Sequence, residues 1–149
     1  MAKPMYVRVA GSWIQVNSAT PGIGPSSLPS RTTVTVNTAS LLNGATENNT
    51  ATMEIAYRIM SVTADRACRV RLYTTTTQRS ADASRIPGTD PTGDHGVMLD
   101  LVFTAAGTLT MSPLVDGFLP SGTAVPYAIQ NNSGSTSAVQ VQISYIRTE

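Results

Sequence analysis

The chain has 149 residues, 13% of them charged, and a net charge of +1; a globular domain ordinarily carries about 25% charged residues. This length fits one domain, and a charge so near zero lacks the electrostatic footprint of a nucleic-acid partner. One His, one Cys and one Lys leave little from which to build a catalytic, cofactor or metal site, so the chain reads as a non-enzyme that works through its surface.

No apolar run approaches the roughly 20 residues of a membrane span, so no membrane partner is expected. Met1 to Ala10 lacks the apolar core of a signal peptide, which makes synthesis in a cytoplasm the expectation. Nine of the ten basic residues are Arg, whose planar fork suits protein interfaces.

In chain order, Tyr6 to Asn17 holds two alternating pieces, YVRVA and SWIQVN, interrupted at Gly11, which predict a small hairpin or one bent strand. Trp13 either packs under a sheet or anchors an interface. Ser18 to Ser30 is aperiodic and rich in Pro and Gly, which predicts an extended arm or linker. Arg31 to Leu42 sets Val34 and Val36 on one face between Thr33, Thr35 and Asn37, the pattern of a sandwich strand with one wet face. Asn43 to Thr50 reads as a turn built on Asn43-Gly44.

Thr52 to Thr63 then predicts a long strand, and Ala67 to Thr76 another. In the latter Cys68, Val70 and Leu72 share one face and Arg69, Arg71 and Tyr73 the other. Cys68 has no second cysteine to bridge with and should be a small buried hydrophobe. Arg69 and Arg71 require acidic company: Glu54 or Asp100 on adjacent strands supplies it within the chain, or a neighbouring subunit does.

Gln78 to Arg85 predicts one or two helical turns, and Ile86 to Gly96 a loop. Asp90, Asp94 and His95 lie together there, and a carboxylate beside an imidazole can serve as base and orienter or as metal ligands. Turn formation accounts for every one of these residues and no nucleophile accompanies them, so no catalytic or metal residue is assigned. Val97 to Thr104 is apolar on both sides and predicts a buried central strand. Leu109 and Met111 mark a shorter one. Leu114, Val115, Phe118 and Leu119 are too apolar for an ordinary loop; they cap the sandwich or meet another subunit. Ala124 to Asn131 and Ala138 to Arg147 look like a closing hairpin, with Pro126 marking an edge strand or a bulge. The sum is an all-β chain, an antiparallel β-sandwich of jelly-roll-like type over residues 32–149 with an N-terminal arm carrying short strands over residues 1–31.

Tyr57 to Phe103 and Pro126 to Glu149 resemble a small β-sandwich module of tailed-phage structural proteins. The resemblance is carried by Arg69-Val70-Arg71-Leu72-Tyr73, by Gln78-Arg79-Ser80-Ala81-Asp82 with the Gly88-Thr89-Asp90-Pro91 turn, and by the terminal Tyr145-Ile146-Arg147. It implies a virion protein made in the host cytoplasm: a capsid decoration or cement protein on the major capsid protein, or else a tail-fibre or baseplate module that recognises a host surface glycan. It brings no catalytic residues or cofactor. A homo-oligomer is expected, with a trimer favoured on shell symmetry. Trp13, Ile14, Arg69, Arg71, Leu114, Val115, Phe118 and Leu119 are the expected interface residues.

Overall fold

Alternating β-branched and aromatic residues bury one face of each strand, and two such faces close on each other. In the computed structural model residues 5–9, 12–16 and 30–148 are described, the first two stretches as backbone only. Met5–Val9 (β1) and Ser12–Val16 (β2) pair antiparallel with each other, the hairpin of the two alternatives. The sandwich comprises Arg31–Asn37 (β3), Thr46–Thr52 (β4), Ala56–Ala64 (β5), Cys68–Tyr73 (β6), Thr76–Ala81 (α1), Val97–Phe103 (β7), Gly107–Phe118 (β8), Ala124–Asn131 (β9) and Gln140–Arg147 (β10). Its first strand starts at Arg31.

Its topology is a folded ribbon. β3 pairs with β10, β4 with β9, β5 with β8 and β6 with β7, all antiparallel. Two further pairings, β10 with β5 and β9 with β6, roll the ribbon into sheets ordered β3-β10-β5-β8 and β4-β9-β6-β7. Eight strands in this order make a jelly roll, and the antiparallel β-sandwich expected from the alternation is the fold.

Several elements differ from expectation for physical reasons. The polar stretch read as a turn, Asn43 to Thr50, holds the first five residues of β4, an edge strand that buries only Ala51; an edge needs no apolar alternation. The long strand expected from Thr52 begins at Ala56, because the chain crosses between sheets at Met53 to Ile55. β7 is an edge strand and not a central one. β8 runs on to Phe118, through most of the segment expected to cap the sandwich or meet another subunit, with a register shift against β5 between Ile59 and Ser61. β9 and β10 form no hairpin, since they belong to opposite sheets. Pro126 sits in a central strand, opposite Thr50 of β4, but β6 pairs only with residues Tyr127 to Asn131 of β9. The missing N–H thus falls where no ladder bond is needed.

The core is continuous between the sheets, with Tyr57, Ile59, Val62, Val141, Ile143 and Tyr145 on one side facing Val70, Leu72, Val125 and Ile129 on the other. Cys68 is wholly buried, as expected, and burial pushes its thiol up to about 11. Tyr57 and Tyr145 meet edge to face with ring centroids 5.9 Å apart, and the Tyr57 hydroxyl points at the Met98 sulfur, 3.6 Å away. Gly117 stands opposite Tyr57 in the ladder. A Cβ on Gly117 would overlap the Tyr57 ring. Gly117→Ala is accordingly expected to lower stability by about 1–3 kcal/mol through overpacking, measured as a fall in Tm and in the urea midpoint at unchanged m-value.

Candidate functional site

β6 turns Arg69, Arg71 and Tyr73 away from the core, onto the outer face of the β4-β9-β6-β7 sheet. That face is not open to water. α1 and residues 82–96, a strap leading back to β7, lie across it, and Arg69 and Arg71 are only 1% and 4% exposed. Thr75 caps α1 by accepting the Gln78 N–H at 3.2 Å. Arg79 fastens the helix to the sheet through the Asn49 and Tyr127 carbonyls at 2.6 and 3.3 Å.

The cap at the other end of α1 is Asp82, and it organises the site. An acid at a helix C-terminus opposes the helix dipole, yet this carboxylate is fully buried. Its Oδ1 receives Arg85 Nε at 2.6 Å and lies 3.1 Å from His95 Nδ1. Its Oδ2 receives the Tyr73 hydroxyl at 2.7 Å, Arg85 Nη2 at 3.1 Å and Arg71 Nη1 at 3.3 Å. Asp100 of β7 completes the network with a two-pronged bond from Arg69 at 2.9 and 2.7 Å and a third contact from Arg85 Nη1 at 2.7 Å. Arg69 and Arg85 also reach the Arg85 and Thr89 carbonyls at 2.8 and 2.9 Å. Arg85 thus joins both carboxylates and ties the strap to its own backbone.

Burial works to raise the Asp82 carboxyl, but bonds from Arg85 and Tyr73 outweigh it and hold the group well below the ordinary carboxylate range. The same opposition, with Arg69 and Arg85 as donors, lowers Asp100. Burial and the bond to Asp82 push the Tyr73 hydroxyl up. Carboxylates saturated in this way are poor bases; their work is to hold the strap. Arg71 Nε finds no hydrogen-bond acceptor among the described residues, so Asp82 is its anionic partner.

The far end of the strap is pinned independently. Gln78 Nε2 donates to Asp94 at 2.7 Å, and the Thr74 N–H donates to the Gly96 carbonyl at 2.9 Å. Gly96 has φ +53°, and a Cβ there would overlap the Gln78 and Thr74 side chains. Asp94 and His95 therefore turn to different partners, and Asp90 stands on the lip of an open hollow of about 380 Å³ between Gly88–Pro91 and β7, with Arg85 and Asp100 in its wall. Among the described residues, no three His, Cys, Asp or Glu side chains gather to hold a metal ion.

The expected interface residues separate. Arg69 and Arg71 do not form an exposed face: of the partners weighed, Asp100 within the chain takes Arg69, and Asp82, which the sequence reading passed over, takes Arg71. The sequence signal for Asp82 was its i, i+3 spacing from Arg85. Leu119 is buried and Val115 packs half-buried on the core, whereas Leu114 and Phe118 are 40% and 60% exposed. Trp13 and Ile14 lie in β2, opposite Arg8 and Val7; their side chains fall outside the described residues.

The other sheet has a different outer face. Its registers align Thr35, Gln142, Thr63 and Thr108 in one row, and Thr33, Ser144, Ser61 and Thr110 in the next. These rows hold hydroxyls and amides without a charge, and the Thr63 and Thr108 hydroxyls bond to each other at 2.8 Å. Comparison with protein-family models, with curated proteins and with solved structures returns no match.

Asp82→Asn leaves the buried Arg71 guanidinium without its counter-charge and Arg85 with Asp100 alone, and is expected to cost about 3–5 kcal/mol, read from denaturant unfolding. Because the folded Asp82 and Asp100 sit below the ordinary value of 3.8, their contribution is fully present above the unfolded pKa and is lost as pH falls through the folded one. A pH series of unfolding free energies should therefore decline below pH 3.8, and the decline should be shallower in the Asp82→Asn protein.

Proposed function

We propose that the chain is a structural protein of a tailed-phage virion, a decoration or cement protein that binds the outer surface of the major capsid protein and stabilises the head. The observation that carries this reading is the patch of two uncharged rows, from Thr35 to Thr108 and from Thr33 to Thr110, on the outer face of the β3-β10-β5-β8 sheet, bordered by a row in which Arg58 and Asp116 pair with each other. A rigid face of hydroxyls and amides docks on a protein shell without stripping water from an ion, the costly step in burying charged surface. The charges of the opposite face are committed internally, which suits a module that presents one side to a shell and the other to solvent. The resemblance of Tyr57 to Phe103 and of Pro126 to Glu149 to phage sandwich modules supports the same reading. Bound copies would stabilise the head by mass action, since dissociating capsomers would first require their release. Residues 1–30 would add a second contact on a neighbouring subunit and raise the effective affinity.

A second reading rests on the hollow beside β7. Its lip carries Thr89 and Asp90 over a wall of Val97 and Val102, and a loop-lined hollow of this kind suits a glycan-recognition module of a tail fibre or baseplate.

Labelling the chain and imaging virions separates the two. Label over the whole head is the expected result; label confined to the tail would replace the first reading with the second. Deleting residues 1–30 should abolish head attachment while leaving the far-UV spectrum of a folded sandwich, and full occupancy by the truncated chain would remove the arm from the mechanism.

A further inference from the structure

A sandwich with open sheets has four edge strands, and each exposed ladder is a template for another strand. Three of the four are guarded here. β8 carries Pro113 and a register shift. β7 has a bulge opposite Leu72 and Tyr73, carries Asp100, and is flanked by Gly88–Pro91 of the strap. β4 presents Glu47, Asn48 and Asn49, and the Asn49 side chain accepts the outward Thr50 N–H at 2.9 Å.

β3 has only one charge, Arg31 at its first position, and none of the other devices. Its sequence, RTTVTVN, contains no Pro, Gly or Lys, and its register against β10 runs without a shift. Thr and Val are strong strand formers. Among the described residues no strand pairs with its outer edge. The Thr38 N–H donates to the Val139 carbonyl at 3.0 Å, so by the alternation of an antiparallel ladder Thr32, Val34 and Val36 face β10. Arg31, Thr33, Thr35 and Asn37 turn their N–H and C=O groups outward.

From this we infer that β3 is a self-association edge, and that its occupant is β3 of a second copy, paired antiparallel about a two-fold axis. The register that pairs all seven residues of the strand places Val34 on the axis. It sets the outward-bonding residues opposite one another: Thr33 meets the partner's Thr35, and Arg31 meets the partner's Asn37. Thr–Thr is a favourable cross-strand pair, and no like charges face each other. Half-buried Val34 packs on its own copy. The rows of hydroxyls and amides then run unbroken across an eight-stranded sheet, and the two-fold closes the assembly as a dimer in place of the trimer expected from shell symmetry. This inference does not depend on where the protein acts.

The test is sedimentation of the full chain across a concentration series, with far-UV circular dichroism and melting as controls for folding. The expected wild-type mass is about twice 15.7 kDa. Thr33→Lys with Thr35→Lys places like charges opposite one another across the seam and should weaken dimerisation by about tenfold or more. Thr33→Glu with Thr35→Lys places opposite charges there; it should dimerise, with a dissociation constant that rises with salt. A wild-type chain monomeric throughout would overturn the inference. So would an oligomer left unchanged by the lysine pair, or a Glu/Lys variant whose association ignores salt.

Discussion

A single buried carboxylate, Asp82, is the constraint on which the outer layer of this protein depends. Taking it out of water costs several kcal/mol, and the cost is offset only because Arg71, Arg85, Tyr73 and His95 converge on its two oxygens. Those partners come from β6, from the strap and from the strap's far end, so satisfying one anion fixes the placement of three segments. A hydrophobic patch of similar size would hold the strap as strongly, but it would tolerate sliding; bonds that must end on two oxygen atoms do not. Asp100 repeats the arrangement on β7 and shares Arg85 with it.

What the sequence made legible and what it concealed divide along one physical line. Strands that bury a full face announce themselves: Cys68, Val70 and Leu72 on β6, and Val141, Ile143 and Tyr145 on β10, alternate cleanly and lie where their spacing puts them. β4 buries only Ala51 along its length, so its polar sequence looked like a turn. The β9–β10 hairpin was inferred from nearness in sequence, and the rolled topology separates the two strands into different sheets. Arg69 and Arg71 were visible as outward residues needing acid, but alternation along a strand cannot tell that a polar helix and loop will cover them. Asp82 escaped notice for the same reason, since nothing apolar accompanies it to advertise burial.

The two faces of the sandwich are consequently unlike. One is plated by the chain's own helix and strap, with ion pairs beneath. The other carries rows of hydroxyls and amides beside the exposed Arg58–Asp116 pair, and it ends at β3, whose outer edge pairs with no strand among the described residues. Polar residues have opposite roles on these faces: on the first they are spent on each other, and on the second they remain available to whatever lies against them.

The ribbon topology also dictates an order of events during synthesis. β10 lies between β3 and β5, so the first sheet lacks one of its two central strands until β10 has left the ribosome. β6, β7 and the strap, by contrast, lie within the contiguous stretch Cys68 to Phe103 and can meet as soon as they are made. The Asp82 cluster is therefore poised to assemble early around local contacts, while the slow, long-range step is the insertion of the C-terminal strand into a gap already framed on both sides.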